Sequence, residues 1–200
     1  MWGATMASRV AAVEIHAGGT CHRSRGVELG AGGGLVGLAV ARGCQTDKPI
    51  YVTDQKPMMQ LMADNISLNG LSTKVKPVLL DWAESPPAEI PEHPEIVLAA
   101  DCVYFEPAFP LLISTLQRLL GPDTICYFCF KRRRRADLRC IKMVKKLFNV
   151  MRSTVSRRVM DTTGRISSYT RSSPDRRAKI RLEKANKELN QKKGNKKEFI

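Results

Sequence analysis

One segment constrains this chain more than any other: Val27-Glu28-Leu29-Gly30-Ala31-Gly32-Gly33-Gly34-Leu35-Val36-Gly37, an apolar run that enters a set of glycines and leaves them as a helix-forming stretch. A strand that turns sharply into a helix needs residues without a Cβ, because the backbone must reach left-handed angles and a ligand must come close to the main chain. The same alternation continues downstream. From Gly26 to Phe130 short apolar runs alternate with helical stretches, the pattern of a parallel sheet covered on both faces. Strands are predicted at Gly26 to Leu29, Ile50 to Thr53, Lys76 to Leu79, Ile96 to Ala100 and Thr124 to Phe130, with helices at Leu35 to Arg42, Pro57 to Asn69 and Ala108 to Leu119. The second helix is framed by Pro57 at its first turn and by Asn69-Gly70 at its end, and Met58, Leu61, Met62, Ile66 and Leu68 form its apolar stripe. The fold class expected is α/β, a doubly wound, mostly parallel sheet.

After Phe130 the pattern fails. Ala136 to Val150 suits an amphipathic helix through Leu138, Ile141, Val144, Leu147 and Phe148, but no strand is read after it, and Arg181 to Lys197 reads as charged helix or coil. The organisation expected is a poorly defined segment at 1–25, a core at 26–150 and a basic, disordered tail at 151–200, whose removal should leave the core folded. Ser153 to Met160 and Ile166 to Thr170 are the competing candidates for further strands.

Charge divides the chain the same way. Residues 1–130 carry 9 Lys and Arg against 13 Asp and Glu, while residues 131–200 carry 24 against 6, so the net charge of +14 belongs to the C-terminal part. Residues 131–200 could therefore contact nucleic acid without sequence specificity, although aromatic residues for base stacking are nearly absent there. No apolar run approaches the roughly 20 residues that span a bilayer, and the stretch around Val10 to Val13 is too short for a signal-peptide core. A monomeric cytoplasmic protein with no membrane contact is expected. The six cysteines form no regular framework and suit reduced, buried thiols. Cys126 and Cys129 are spaced as a CxxC, but on a strand an offset of three sends the two thiols to opposite faces, so no metal site is read there.

Two fingerprints fit the glycine segment. Gly32, Gly34 and Gly37 satisfy the G-x-G-x-x-G of dinucleotide-binding proteins, and Glu28, Gly30, Gly32 and Gly34 satisfy the E-x-G-x-G-x-G of methyltransferases. The apolar run ends at Leu29, so Gly30 should open the turn, and that register favours the second. Asp54, ending the second strand, can accept both ribose hydroxyls of an adenosine-containing cofactor, which the two classes share. Asp81 and Trp82 follow the third strand, where an acid can accept from an adenine amine and an indole can cover the ring face. After the fourth strand come Ala100, Asp101 and Tyr104; Asp101 could hold an incoming ammonium and Tyr104 could orient its nitrogen, a pair that a transferase acting on amines needs. A nicotinamide-dependent oxidoreductase, a catalytically impaired relative that binds RNA through its basic tail, and methylation of a small molecule or nucleic acid stay open as alternatives.

The combination of Glu28 to Gly32, Val52 to Asp54, Leu80 to Trp82 and Ala100 to Tyr104 resembles the seven-strand protein-lysine N-methyltransferases of the methyltransferase-like 21 group. With Phe105-Glu106-Pro107 and the run Lys131 to Asp137 it is most similar to the fungal members that modify translation elongation factor 1-alpha. The resemblance covers roughly Gly26 to Val150, and the Asp-x-x-Tyr of Asp101 to Tyr104 is its most specific part. It implies a Rossmann-like class I methyltransferase fold, S-adenosyl-L-methionine as cofactor and a protein-lysine substrate. Gly30, Ala31, Gly32, Asp54, Trp82 and Ala100 would contact the cofactor, beside the Glu28, Gly34 and Asp81 read from the residues themselves. Such proteins carry a Trp-Pro-Ala-type motif before the first strand and two further strands after the last helix. Neither is found in the sequence, so a chain truncated at both ends is expected.

Overall fold

The computed structural model describes residues 25–44, 46, 48–130, 134–152 and 179–184. Its elements run β1 (Gly26–Leu29), α1 (Leu35–Gly43), β2 (Ile50–Asp54), a 3-10 turn (Lys56–Met58), α2 (Met59–Leu68), β3 (Val75–Leu79) and β4 (Ile96–Ala100). A second 3-10 turn (Glu106–Ala108), α3 (Phe109–Leu119), β5 (Ile125–Phe130), α4 (Arg135–Leu147), β6 (Asn149–Arg152) and β7 (Lys179–Lys184) complete them. One sheet takes all seven strands in the order β3-β2-β1-β4-β5-β7-β6, and every paired neighbour is parallel.

Alternation along the strands divides the core in two. Val27 and Leu29 of β1, Val97 and Ala99 of β4, and Cys126, Phe128 and Phe130 of β5 pack with α3 and α4. Ile50 and Val52 of β2, with Ile96 and Leu98 of β4 and Tyr127 of β5, pack on the other face with α1 and α2. Successive side chains leave a strand on opposite sides, so near-continuous apolar runs are what a sheet buried on both faces requires. Cys126 sits in the first cluster and Cys129 packs against the second, as the spacing predicted. The doubly wound parallel architecture is thus the one expected from the sequence.

Strand order reverses between β1 and β4. The register aligns Leu29 with Thr53 on one side and with Ala99 on the other, so Gly30, Asp54 and Asp101 all leave the carboxyl edge of the sheet at the reversal. Open α/β sheets leave a crevice for ligands at this point, because the loops on either side run away from each other.

The C-terminal part differs from expectation. The last helix stops at Leu147, not Val150: Phe148 is extended (φ −126°, ψ 154°), and Asn149–Arg152 continue as β6. Burial of Phe148 turns the chain from helix to sheet at this point. A second strand, β7, lies between β5 and β6 and buries Ile180 completely, where the sequence pattern suggested charged helix or coil. Its letters, Lys-Ile-Arg-Leu-Glu-Lys, alternate with period two, but charged neighbours on every side hide two apolar residues from a search for apolar runs. The segments Ser153 to Met160 and Ile166 to Thr170, and residues 1–24, lie outside the described residues. Among the described residues no helix is long and apolar enough to cross a membrane, and no group of three or more His, Cys, Asp or Glu could hold a metal ion.

Candidate active site

The loop between β1 and α1 forms the floor of the site. Gly30, Gly32 and Gly34 all have positive φ (59°, 56° and 78°), the register in which Gly30 opens the turn. At Gly30 the missing side chain also leaves space: a Cβ there would stand 3.0 Å from the Trp82 ring and 3.2 Å from the Cys102 sulfur. Gly37 serves packing instead, since a Cβ would stand 2.5 Å from Val52 Cγ1. Gly37 lies inside α1, where the third glycine of a dinucleotide fingerprint also packs helix on strand, so this position fits both fingerprints.

The loop is tied down from two directions. Gly32 donates its amide to Asp54 Oδ2 at 2.7 Å, and Ala31 donates to the Thr53 carbonyl at 2.9 Å, so the end of β2 holds the middle of the loop. Asn65 of α2 donates to the Gly33 carbonyl at 2.9 Å. Asp54 also accepts the Gln55 amide on Oδ1 at 2.7 Å, which fixes both carboxylate oxygens at the strand end.

Above this floor lies a cavity of about 290 Å³. Gly30, Leu80, Trp82 and Cys102 contribute apolar lining, and Asp54, Gln55 and Asp81 contribute polar lining. Tyr104 and Phe105 form the outer lip with Pro107, Ala108 and Leu111, and both aromatics are more than half exposed (61% and 56%). Asp81 accepts the Ala83 amide on Oδ1 at 2.9 Å and the Gln55 side-chain amide on Oδ2 at 3.2 Å. Cys102 donates its thiol to the Leu29 carbonyl at 3.1 Å, and burial pushes its pKa far up, so it contributes a neutral surface rather than a nucleophile.

Of the residues singled out from sequence, Gly30, Asp54, Asp81, Trp82 and Tyr104 meet around this cavity. Ala31, Gly32 and Gly34 build the loop beside it without forming its wall, and Ala100 ends β4 half-buried. Asp101 is half-buried, with a positive φ of 59° that a non-glycine residue rarely adopts, and its amide donates to the Cys129 carbonyl at 2.8 Å. It does not line the cavity wall that Tyr104 lines. Backbone held in this region is a local cost that a neighbouring function can justify.

Glu28 is the clear departure. Its side chain is buried under the loop, where it accepts the Gly37 amide at 2.7 Å, so it binds strand to helix and is not brought to the cavity. Burial raises its pKa from 4.5 to about 8, against the opposite pull of the Gly37 and Val36 amides. The reason lies in the pleat: Glu28 points to the face opposite Val27 and Leu29 and meets α1 there. Sequence reasoning missed Gln55, Cys102, Phe105, Pro107, Ala108 and Leu111 as wall residues. Only their position directly after a strand-end acid or beside Tyr104 could have signalled them.

A model of the lysine methyltransferase family matches residues 3–147. The chain is 34% identical over 151 residues to the protein-lysine N-methyltransferase EFM6 of Saccharomyces cerevisiae, covering 68% of this chain and 61% of the yeast protein. It is 36% identical over 108 residues to EEF1A lysine methyltransferase 3 of Mus musculus, covering 54% of this chain and 45% of the mouse protein. The chain thus spans about three fifths of the yeast relative and less than half of the mouse one. Among solved structures, it is similar in fold to a putative S-adenosyl-L-methionine-dependent methyltransferase from Methanococcus maripaludis, with a TM-score of 0.51, 16% identity and coverage of 71% of this chain and 64% of that one. With a glycine loop in the methyltransferase register and a family match over most of its length, the chain belongs to the lysine methyltransferase family.

Proposed function

We propose that this chain is an S-adenosyl-L-methionine-dependent protein-lysine N-methyltransferase and that its substrate is translation elongation factor 1-alpha. The observation that carries the reading is the meeting of Gly30, Asp54, Asp81, Trp82 and Tyr104 around one cavity at the strand-order reversal. The residues suit the cofactor: the space a Cβ at Gly30 would fill is left open beside the Trp82 ring, and two acids stand at the ends of neighbouring strands. Names of relatives that act on elongation factor 1-alpha support the substrate.

When bound, the cofactor supplies an electrophilic methyl group. The chain's part is placement. Asp54 offers carboxylate oxygens to a ribose diol while its Oδ2 holds the loop, so cofactor binding and loop geometry share one group. Asp81 offers an acceptor to an amine-bearing base, and Trp82 offers an apolar face to the base plane. Tyr104, exposed at the lip, orients the incoming lysine nitrogen, and Asp101 attracts its ammonium form before the proton leaves to water. Alignment of amine and methyl supplies most of the acceleration, since a thioether leaves without acid assistance.

The exposed face of α4 adds Arg135, Arg139, Lys142, Lys145 and Lys146, which supports a salt-sensitive, non-specific attraction of residues 131–200 to polyanions. Calorimetry with S-adenosyl-L-methionine and with NAD tests the class. Tighter binding of the methyl donor is expected, and tighter binding of NAD would overturn it.

A further inference from the structure

Asp54 ends β2 and Asp81 follows the adjacent β3, both line one cavity, and among the described hydrogen bonds Gln55 is the residue that reaches both. Its backbone N–H donates to Asp54 Oδ1 at 2.7 Å, and its side-chain Nε2 donates to Asp81 Oδ2 at 3.2 Å. The Asp81 carboxylate is held at its other oxygen by the Ala83 amide at 2.9 Å, so its plane is fixed by two donors. Gln55 itself lines the cavity. A carboxylate can only accept, so the side-chain contact requires the amide nitrogen of Gln55 to face Asp81.

Resting on the cofactor reading above, we infer that Gln55 is a positioning residue that sets base selectivity: it aims the Asp81 acceptor at an exocyclic amine, so the cavity takes an adenine and rejects a hypoxanthine. Two neighbouring carboxylates repel, and a neutral donor that bonds to both holds them in fixed orientations. An adenine brings a donor to the Asp81 oxygen. A hypoxanthine brings a carbonyl at the same place, and two acceptors then face each other with neither satisfied. Without Gln55, Asp81 would turn toward solvent on one remaining tether and the discrimination would shrink. With an acid in place of Gln55, three carboxylates would crowd one wall.

Calorimetric titration of the full chain with S-adenosylhomocysteine and with S-inosylhomocysteine tests this, on wild type, Gln55→Met and Gln55→Glu. Met keeps the length and removes the donor. The adenine ligand should bind wild type more tightly than the hypoxanthine ligand, and Gln55→Met should lose about tenfold in affinity for the adenine ligand, the scale of one hydrogen bond to a charged group, with little change for the other. Gln55→Glu, which adds a third acceptor to the cavity and no donor, should also lose the preference for the adenine ligand; a merely structural role would weaken both ligands alike. Equal loss of both ligands in Gln55→Met, or unchanged binding, would overturn the inference while the cofactor reading stood. Failure of wild type to bind S-adenosylhomocysteine would overturn that reading and the inference with it.

Discussion

The Gly32 amide and the Asp54 carboxylate meet at 2.7 Å, which makes the acid at the end of β2 the clamp of the loop after β1. On the proposed cofactor reading, removal of that carboxylate should act twice, on the loop and on the ribose it would hold. Asp54→Ala should weaken binding of S-adenosylhomocysteine by about 1.5–3 kcal/mol, the range for hydrogen bonds to a charged group. Asp54→Asn, which keeps an acceptor for Gly32, should lose less. Calorimetry at fixed pH compares the two, and equal affinities for Asp54→Ala and wild type would remove Asp54 from the site.

Gly30→Ala adds a methyl group at a φ of 59° and places it 3.0 Å from Trp82 and 3.2 Å from the Cys102 sulfur. The left-handed angle alone costs about 1–2 kcal/mol for a residue with a Cβ, and the contacts add to it. The variant should melt at a lower temperature and bind the cofactor more weakly. Gly32→Ala, which has a similar φ but nothing within 4 Å of its Cβ, should be milder in both respects.

Glu28 gives the protein a pH dependence of unusual sign. Its folded pKa of about 8 lies above the ordinary 4.5, so between these values the folded state holds a proton that the unfolded state has released. Stability from this group is then fully present below about pH 4.5, falls as pH rises and levels off above about pH 8. Glu28→Gln cannot ionise and keeps an oxygen for the Gly37 amide. Thermal melts across this window should show a shallower fall for Glu28→Gln than for wild type, and parallel curves would contradict the assignment.

A chain ending at Val150 lacks β7, which separates β5 from β6 and buries Ile180 completely. Loss of this strand exposes the outer edge of β5 and part of the cluster around Phe128 and Val144. Truncation after Val150 should lower the melting temperature substantially, in contrast to the dispensable tail that the composition suggested. Ile180→Ala isolates the packing contribution and should cost about 2–5 kcal/mol, as for other buried aliphatic truncations.

The first five strands and the helices between them were legible because each repeats one signal: an apolar run buried on both faces, or a stripe at helical spacing. The register of the glycine loop was legible too, since Leu29 ends the apolar run and Gly30 must turn. Glu28 was not, because sequence places an acid on a strand without saying which face the pleat gives it. The lip residues Phe105, Pro107 and Leu111 were hidden for another reason. Their role comes from the 3-10 turn Glu106–Ala108, which Arg139 of α4 holds through its ion pair with Glu106, a contact between segments far apart in the chain. β7 escaped because its two apolar residues sit among charges.

Methyl transfer itself is the most direct test of the proposed activity. The full chain should be incubated with isotopically labelled S-adenosyl-L-methionine and elongation factor 1-alpha, and the product digested for mass spectrometry, with Tyr104→Phe and Asp54→Ala in parallel. Label on a lysine side chain is expected with wild type. Tyr104→Phe should lower turnover by about tenfold or more while leaving cofactor affinity near wild type, since a group that aligns the amine acts in the transition state. Asp54→Ala should fail mainly through weak cofactor binding. Absence of labelled lysine when wild type demonstrably binds the cofactor would contradict the proposed substrate, and unchanged turnover in Tyr104→Phe would contradict the proposed role of the lip.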